Sequence, residues 1–185
     1  SKFIKTHKGK FDGTEVLVKV YQLQTNDEDL DNVIMWLSHY WITLSPSKYP
    51  NLLPYQLWFK SKQPKCNNAY LMRQHIMTVM HDRLHARPFL SESEKAFIIY
   101  QMLRCIKDCH YKGIVHGDLK SENFLITSWN WLILTDFSPF KPVEIPADDP
   151  SYFKYYFDVM SRNKCYIAPE RFIRDTSLHS NSNRQ

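Results

Sequence analysis

Glycine is scarce in this chain: 4 of 185 residues, and no three of them form the G-x-G-x-x-G pattern that lets a backbone wrap phosphate groups. Gly9 and Gly13 read as parts of a hairpin instead. Cysteine is also sparse, with 4 residues and no C-x-x-C pair. Cys105 and Cys109 stand at i, i+4 beside His110, a spacing open to zinc or to reduced core cysteines. The second reading fits a reducing compartment. No apolar run approaches the roughly 18 residues that a membrane span needs, and no signal peptide opens the chain. After Asp31 there is no carboxylate until Asp82. The chain starts at Ser1 and finishes in the polar SLHSNSNRQ, so both ends are expected to be cuts from a longer protein. What remains is a globular composition, 43% apolar and 15% aromatic, enough for a sizeable core. The net charge of +5 is dispersed over Lys2, Lys5, Lys8, Lys10, Lys60, Lys62 and Lys65, which reads as solvated faces rather than a nucleic-acid partner.

The chemistry is concentrated in HGDLKSEN, His116 to Asn123, and in Asp136-Phe137-Ser138 across a short apolar hairpin. Moving a phosphoryl group needs a carboxylate near the accepting hydroxyl and oxygen ligands for Mg2+, all held rigidly. Asp118 is placed to orient the hydroxyl and take its proton, and Lys120 to neutralise charge on the moving group. Asn123 and Asp136 are placed to ligate the metal. H-x-D-x-K-x-x-N followed by D-F resembles the protein-kinase signature in order and spacing.

Along the chain, Phe3 to Val20 reads as two strands joined at Asp12-Gly13, a hairpin dipeptide. In the second strand Val16, Val18 and Val20 alternate against Glu15, Leu17 and Lys19, and a lysine on a central strand needs an anionic partner. VLVK is similar to the kinase strand whose lysine holds the ATP phosphates, which makes Lys19 a nucleotide-binding candidate beside Asn123 and Asp136. Asp29 to Leu44 has helical spacing, with Leu30, Val33, Ile34, Leu37 and Trp41 on one face. A kinase helix here offers a glutamate to the strand lysine. Asp31 or Glu28 is open to that role or to capping the first turn. NLLPYQLWFK and AYLMRQHI read as two strands around the polar SKQPKCNN, with Met72 to Ile76 as the hinge and Leu71 and Met72 as pocket walls. A short helix is expected over Thr78 to His85. Ser91-Glu92-Ser93-Glu94 forms a capping box for a long helix with Ala96, Ile99, Tyr100, Leu103 and Ile106 inward, ending at Gly113. Phe124–Thr127 and Trp131–Thr135 read as strands around Ser128-Trp129-Asn130, which returns Asn123 and Asp136 to one end; Trp129 and Trp131 are open to marking a binding surface or, as is usual beside a hairpin, to packing on it. Asp136 to Glu170 lacks periodicity, is rich in proline, carries Ser151 and Ser161 as modifiable residues, and closes on Ala168-Pro169-Glu170.

HGDLKSEN, SWNW, LTDF, FKP, CYIAPERF and RPFL together resemble the vacuolar protein sorting serine/threonine kinases, the protein-kinase-like regulatory subunits of the class III phosphatidylinositol 3-kinase complex. The resemblance implies an α+β, bilobal protein-kinase-like fold, truncated at both ends. A small β-rich N-lobe would occupy 1–74 and a partial helical C-lobe, with catalytic loop and activation segment, 75–185. It also implies ATP or another nucleotide in the cleft with Mg2+, a protein substrate, and assembly with the class III lipid kinase and its partners. The setting would be cytoplasmic, peripheral on late endosomal and autophagic membranes, through lipidation upstream of these residues. Two departures stand out: Gly117 where most kinases have arginine, and Ser138 where they have glycine. The first removes a reader of activation-segment phosphorylation, and the second should stiffen the Mg2+ loop. Arg162 to Tyr166 lacks the usual Gly-Thr pair, which bears on peptide docking. Two functions stay open, a weak serine/threonine protein kinase and a nucleotide-binding pseudokinase scaffold. As an isolated piece the chain is expected to be marginally stable.

Overall fold

A computed structural model describes residues 4–23, 27–63, 66–145, 156–157 and 167–172, and its architecture is mixed α+β. The chain divides into two compact units, 3–140 and 141–185 with 1–2. Among the described residues, the first carries nearly all of the regular structure.

Its hairpin consists of β1 (Ile4–Phe11) and β2 (Thr14–Leu23), which pair in register from Ile4↔Tyr21 to Phe11↔Thr14. Asp12 and Gly13 both take positive φ, 47° and 73°, as a two-residue turn matched to strand twist requires. Helix α1 (Asp27–Thr43) starts two residues earlier than the periodicity suggests. NLLPYQLWFK, expected as one strand, is two: β3 (Leu52–Leu53) and β4 (Leu57–Gln63), which belong to different sheets. Pro54 interrupts the run, because it has no N–H to offer a ladder. Strand β5 (Cys66–Gln74) begins within the stretch expected to be loop, and the first sheet has the order β1-β2-β5-β4, antiparallel throughout. Val33 and Leu37 of α1 close over Leu71 of β5 and Tyr55, with Trp58 and Phe140 at the margin. Each such aliphatic burial contributes about 1.5–3 kcal/mol.

The second sheet joins β3 in parallel to β7 (Leu132–Thr135), which pairs antiparallel with β6 (Phe124–Ile126). After the short helix α2 (Met80–His85) comes α3 (Glu92–Tyr111), opened by the expected capping box: Ser91 accepts from the Glu94 N–H, and the Glu94 carboxylate accepts from the Ser91 N–H. The inward face of α3 differs from the expected one. Ile98, Gln101, Cys105 and Cys109 are buried, while Ile99, Tyr100 and Leu103 are more than half exposed. Helix α3 has apolar residues on more than one face, so its periodicity alone does not choose; packing against Leu132 and Leu134 of β7 does. Cys105 and Cys109 sit in that core as free thiols, and burial pushes both up to about 12. The helix ends where Gly113, at φ 67°, turns the chain and Ile114 N–H reaches back to Cys109 O at 3.0 Å.

In the second unit, a 3₁₀ turn spans Pro169–Phe172. Ile145 N–H donates to Arg171 O at 2.8 Å, and the Arg171 guanidinium lies 5.8 Å from the Phe157 ring centroid. Most of the expected activation segment, including Ser151 and Ser161, lies outside the described residues.

Candidate functional site

The loop from α3 to β6 is held by one imidazole. His116 is buried; its Nε2–H donates to Thr135 O at 2.8 Å, and its Nδ1 accepts the Asp118 N–H at 3.2 Å. That pairing fixes one neutral tautomer. Burial lowers the group to about 4, only partly offset by the Thr135 hydrogen bond and the nearby carboxylates. The loop then makes a 3₁₀ turn, Ser121–Asn123. Asn123 Nδ2 donates to Asp118 O at 2.7 Å and to Asp118 Oδ2 at 3.2 Å, while Lys120 Nζ lies 3.1 Å from the same Oδ2. Asp118, Lys120 and Asn123 therefore form one bonded group.

Asp136 follows β7 in a left-handed conformation, φ 64°. Lys19 Nζ stands 2.7 Å from its Oδ2. Arg73 Nε donates to Oδ1 at 2.8 Å and Nη2 to Oδ2 at 3.3 Å. Tyr55, fully buried, hydrogen-bonds to the same carboxylate, and burial together with the Asp136 charge raises its phenol well above the ordinary range. Burial by itself would raise Asp136; the charges of Lys19 and Arg73 and their hydrogen bonds outweigh it and hold the carboxyl far below the usual range. The β2–β5 register explains the convergence: Lys19 lies opposite Leu71 and Leu17 opposite Arg73, so all four share one face.

Phe137 is fully buried, with its ring 4.7 Å from His116 and 5.8 Å from Tyr40 of α1. Ser138 N–H donates to His116 O at 2.9 Å, and Ser138 Oγ donates to Asp136 O at 2.9 Å. Gly117, at φ 83°, passes so close that a Cβ there would meet Ser138 O at 2.3 Å. Gly117 is thus required by the backbone of residue 138, whereas the Ser138 hydroxyl serves Asp136 O.

The profile of the protein kinase domain family matches residues 5–183. The chain belongs to that family. Among curated proteins it is 42% identical over 174 residues to the serine/threonine-protein kinase VPS15 of Arabidopsis thaliana, covering 92% of this chain and 11% of that protein. It is 42% identical over 166 residues to the vps15 kinase of Schizosaccharomyces pombe, 90% of this chain and 9% of that protein. It is also 42% identical over 174 residues to the VPS15 kinase of Saccharomyces cerevisiae, with shares of 93% and 12%. The chain spans about a tenth of the length of the curated relatives it matches. By this relationship it is a protein-kinase domain, similar in sequence to part of the VPS15 serine/threonine-protein kinases.

Against this kinase framework, several expectations need correction. Lys19 finds its anion in Asp136 rather than on α1. Asp31 is exposed and pairs with Lys60 of β4, and the Glu28 side chain lies outside the described residues. Met72 does line a cavity, with Val16, Leu57, Arg73 and Gln74, but its side chain is on the face of β5 opposite to the one Lys19 shares. Leu71 does share the Lys19 face, but it is fully buried beneath α1 as core. Trp129 does not pack on its hairpin and is 87% exposed, whereas Trp131 bonds back through Nε1 to Pro50 O at 3.2 Å. Two site residues escaped sequence reasoning, Arg73 and Tyr55. Arg73 carried a signal: an arginine inside the apolar run AYLMRQHI has the same need for an anionic partner as Lys19 on its strand. Tyr55, next to Pro54 in an apolar run, carried none.

Among the described residues no three His, Cys, Asp or Glu side chains gather to cage a metal. Mg2+ needs no such cage, since it takes one or two protein oxygens and completes its shell with phosphates and water. The donor set fits that pattern. Asp136 is ionised, and the Asn123 amide, with its NH2 engaged by Asp118, offers its oxygen.

Proposed function

We propose that this chain is the kinase domain of a regulatory subunit of class III phosphatidylinositol 3-kinase, transferring the ATP γ-phosphoryl group to serine or threonine hydroxyls of a protein substrate. The observation that carries the reading is the placement of two bonded groups, Asp118-Lys120-Asn123 and Lys19-Asp136: Asn123 precedes β6 and Asp136 follows β7, at one end of that antiparallel pair, and Lys19 reaches Asp136 from the middle of β2. In this reading the N-lobe is 1–74 and the partial C-lobe 75–185. Lys19 binds nucleotide phosphates, Asn123 and Asp136 hold Mg2+, and Lys120 neutralises charge on the group in transit. Asp118 orients the acceptor hydroxyl and takes its proton; His116 keeps the Asp118 backbone in place. Mg2+ held there supplies charge neutralisation at the phosphates. The partners are the class III lipid kinase and its complex, in autophagy and endosomal or vacuolar sorting, on the cytoplasmic side of late endosomal and autophagic membranes. The naming of the relatives as VPS15 kinases supports this assignment.

A second reading, a nucleotide-binding scaffold with little or no transfer, has one observation in its favour: both oxygens of Asp136 are already engaged by cationic side chains. Phosphate transfer by the full-length protein, wild type against Asp118→Ala, separates the two. The kinase reading expects nucleotide binding to persist and transfer to fall by about 100-fold or more in the variant. Equal transfer by both proteins would refute the role of Asp118, and no transfer by either would favour the scaffold.

A further inference from the structure

Arg73 has no part in the phosphoryl-transfer scheme, yet it is 3% exposed, and a buried guanidinium is costly unless fully paired. It is paired. Nε and Nη2 hold the two oxygens of Asp136 in a fork, and Nη1 donates to Gln74 O at 3.0 Å. Lys19 adds a second cation to Oδ2. One carboxylate thus faces two fixed positive charges, and the local sum is positive without any metal.

We propose that Arg73 is a positioning residue that clamps Asp136 and gives this site a standing positive charge, so that nucleotide phosphates are recruited by Arg73 and Lys19 with little dependence on Mg2+. This rests on the nucleotide-binding reading above. Two consequences follow from charge alone. A divalent cation must compete with two resident cations for Asp136, which weakens its hold. An anionic phosphate approaching Lys19 is attracted by the summed charge of both cations, although the Arg73 fork itself stays on Asp136. The other carboxylates do not cancel the effect: Asp31 is occupied by Lys60, and Asp118, whose charge reaches Tyr55, is paired with Lys120. Arg73 thereby does from β5 what no described α1 side chain does, which is to hold the anion facing Lys19.

The test measures ATP affinity of the full-length protein by calorimetry, once with magnesium chloride and once with EDTA, for wild type, Arg73→Met and Arg73→Lys. Unliganded melting temperatures report whether each variant folds. The clamp predicts wild-type affinities within about threefold of each other, a gap of about tenfold or more in Arg73→Met as Asp136 becomes available to metal, and a wild-type gap in Arg73→Lys. A wild-type gap of about tenfold or more, unchanged in Arg73→Met, would overturn the proposal. If Arg73→Met does not fold, Asp136→Asn carries the test. Freed of its carboxylate, the cation pair should bind ATP in EDTA at least as tightly as wild type, and loss of that binding overturns the clamp. Absence of ATP binding by the wild type in both conditions overturns the nucleotide reading instead, which keeps the two failures apart.

Discussion

Acidification should destabilise this domain through a single buried ring. His116 is 4% exposed, and burial sets its folded value at about 4 against an ordinary 6.5. Between those values the unfolded chain binds a proton that the folded chain refuses, so stability rises with pH across the window and is fully present above about 6.5. At pH 5 the unfolded ring is mostly protonated and the folded ring mostly neutral, a difference worth about 2 kcal/mol relative to pH 7.5. The full shift approaches about 3 kcal/mol below pH 4. Asp136 and Glu94, both held below their ordinary values, contribute stability that is lost only at lower pH, and comparison with a His116 variant removes whatever the other seven of the 8 histidines contribute. Urea denaturation followed by tryptophan fluorescence, for wild type and His116→Asn, measures it. The wild type should lose about 2 kcal/mol on going from pH 7.5 to 5, and the variant, whatever its absolute stability, should lose that slope. An equal slope in both proteins would refute the assignment of a neutral, buried imidazole.

Gly117→Ala should destabilise by about 2 kcal/mol or more, since it combines a positive φ with a Cβ placed 2.3 Å from Ser138 O; a thermal melt at the level of wild type would contradict the packing described. Gln101→Leu should cost about 1–3 kcal/mol, because Gln101 Oε1 accepts the buried Leu132 N–H at 2.9 Å and the Asn51 amide at 3.2 Å. Denaturant midpoints with unchanged slope check that value, and a neutral result would mean the N–H finds another acceptor.

The sequence announced local events well and face selection poorly. The Asp12-Gly13 turn, the Ser91 to Glu94 capping box and the Gly113 stop are each encoded within a few residues, so they were readable in advance. The clustering of Asp118, Lys120 and Asn123 was legible as well, because H-x-D-x-K-x-x-N sets them within eight positions. What eluded reading depends on distant partners. Helix α3 offers more than one apolar face, and only β7, more than twenty residues downstream, selects Ile98 and Cys105 over Ile99 and Leu103. Leu52 and Leu53 look continuous with β4 until β7 claims them in a second sheet. The ion pairs were hidden for the same reason, since Arg73 meets Asp136 across 63 residues and the face it shares with Lys19 is set by strand register. A one-residue slip of β5 would have turned Arg73 away.

Lys19 is proposed to bind nucleotide phosphates and Asp118 to act in transfer alone. ATP affinity of full-length Lys19→Met and Asp118→Ala, beside wild type, addresses both at once. Removing the Lys19 ammonium should weaken ATP by about tenfold or more, while Asp118→Ala should stay within about threefold of wild type. ATP bound equally well by Lys19→Met would show that the Lys19-Asp136 pair is a structural ion pair and that the nucleotide, if bound at all, lies elsewhere.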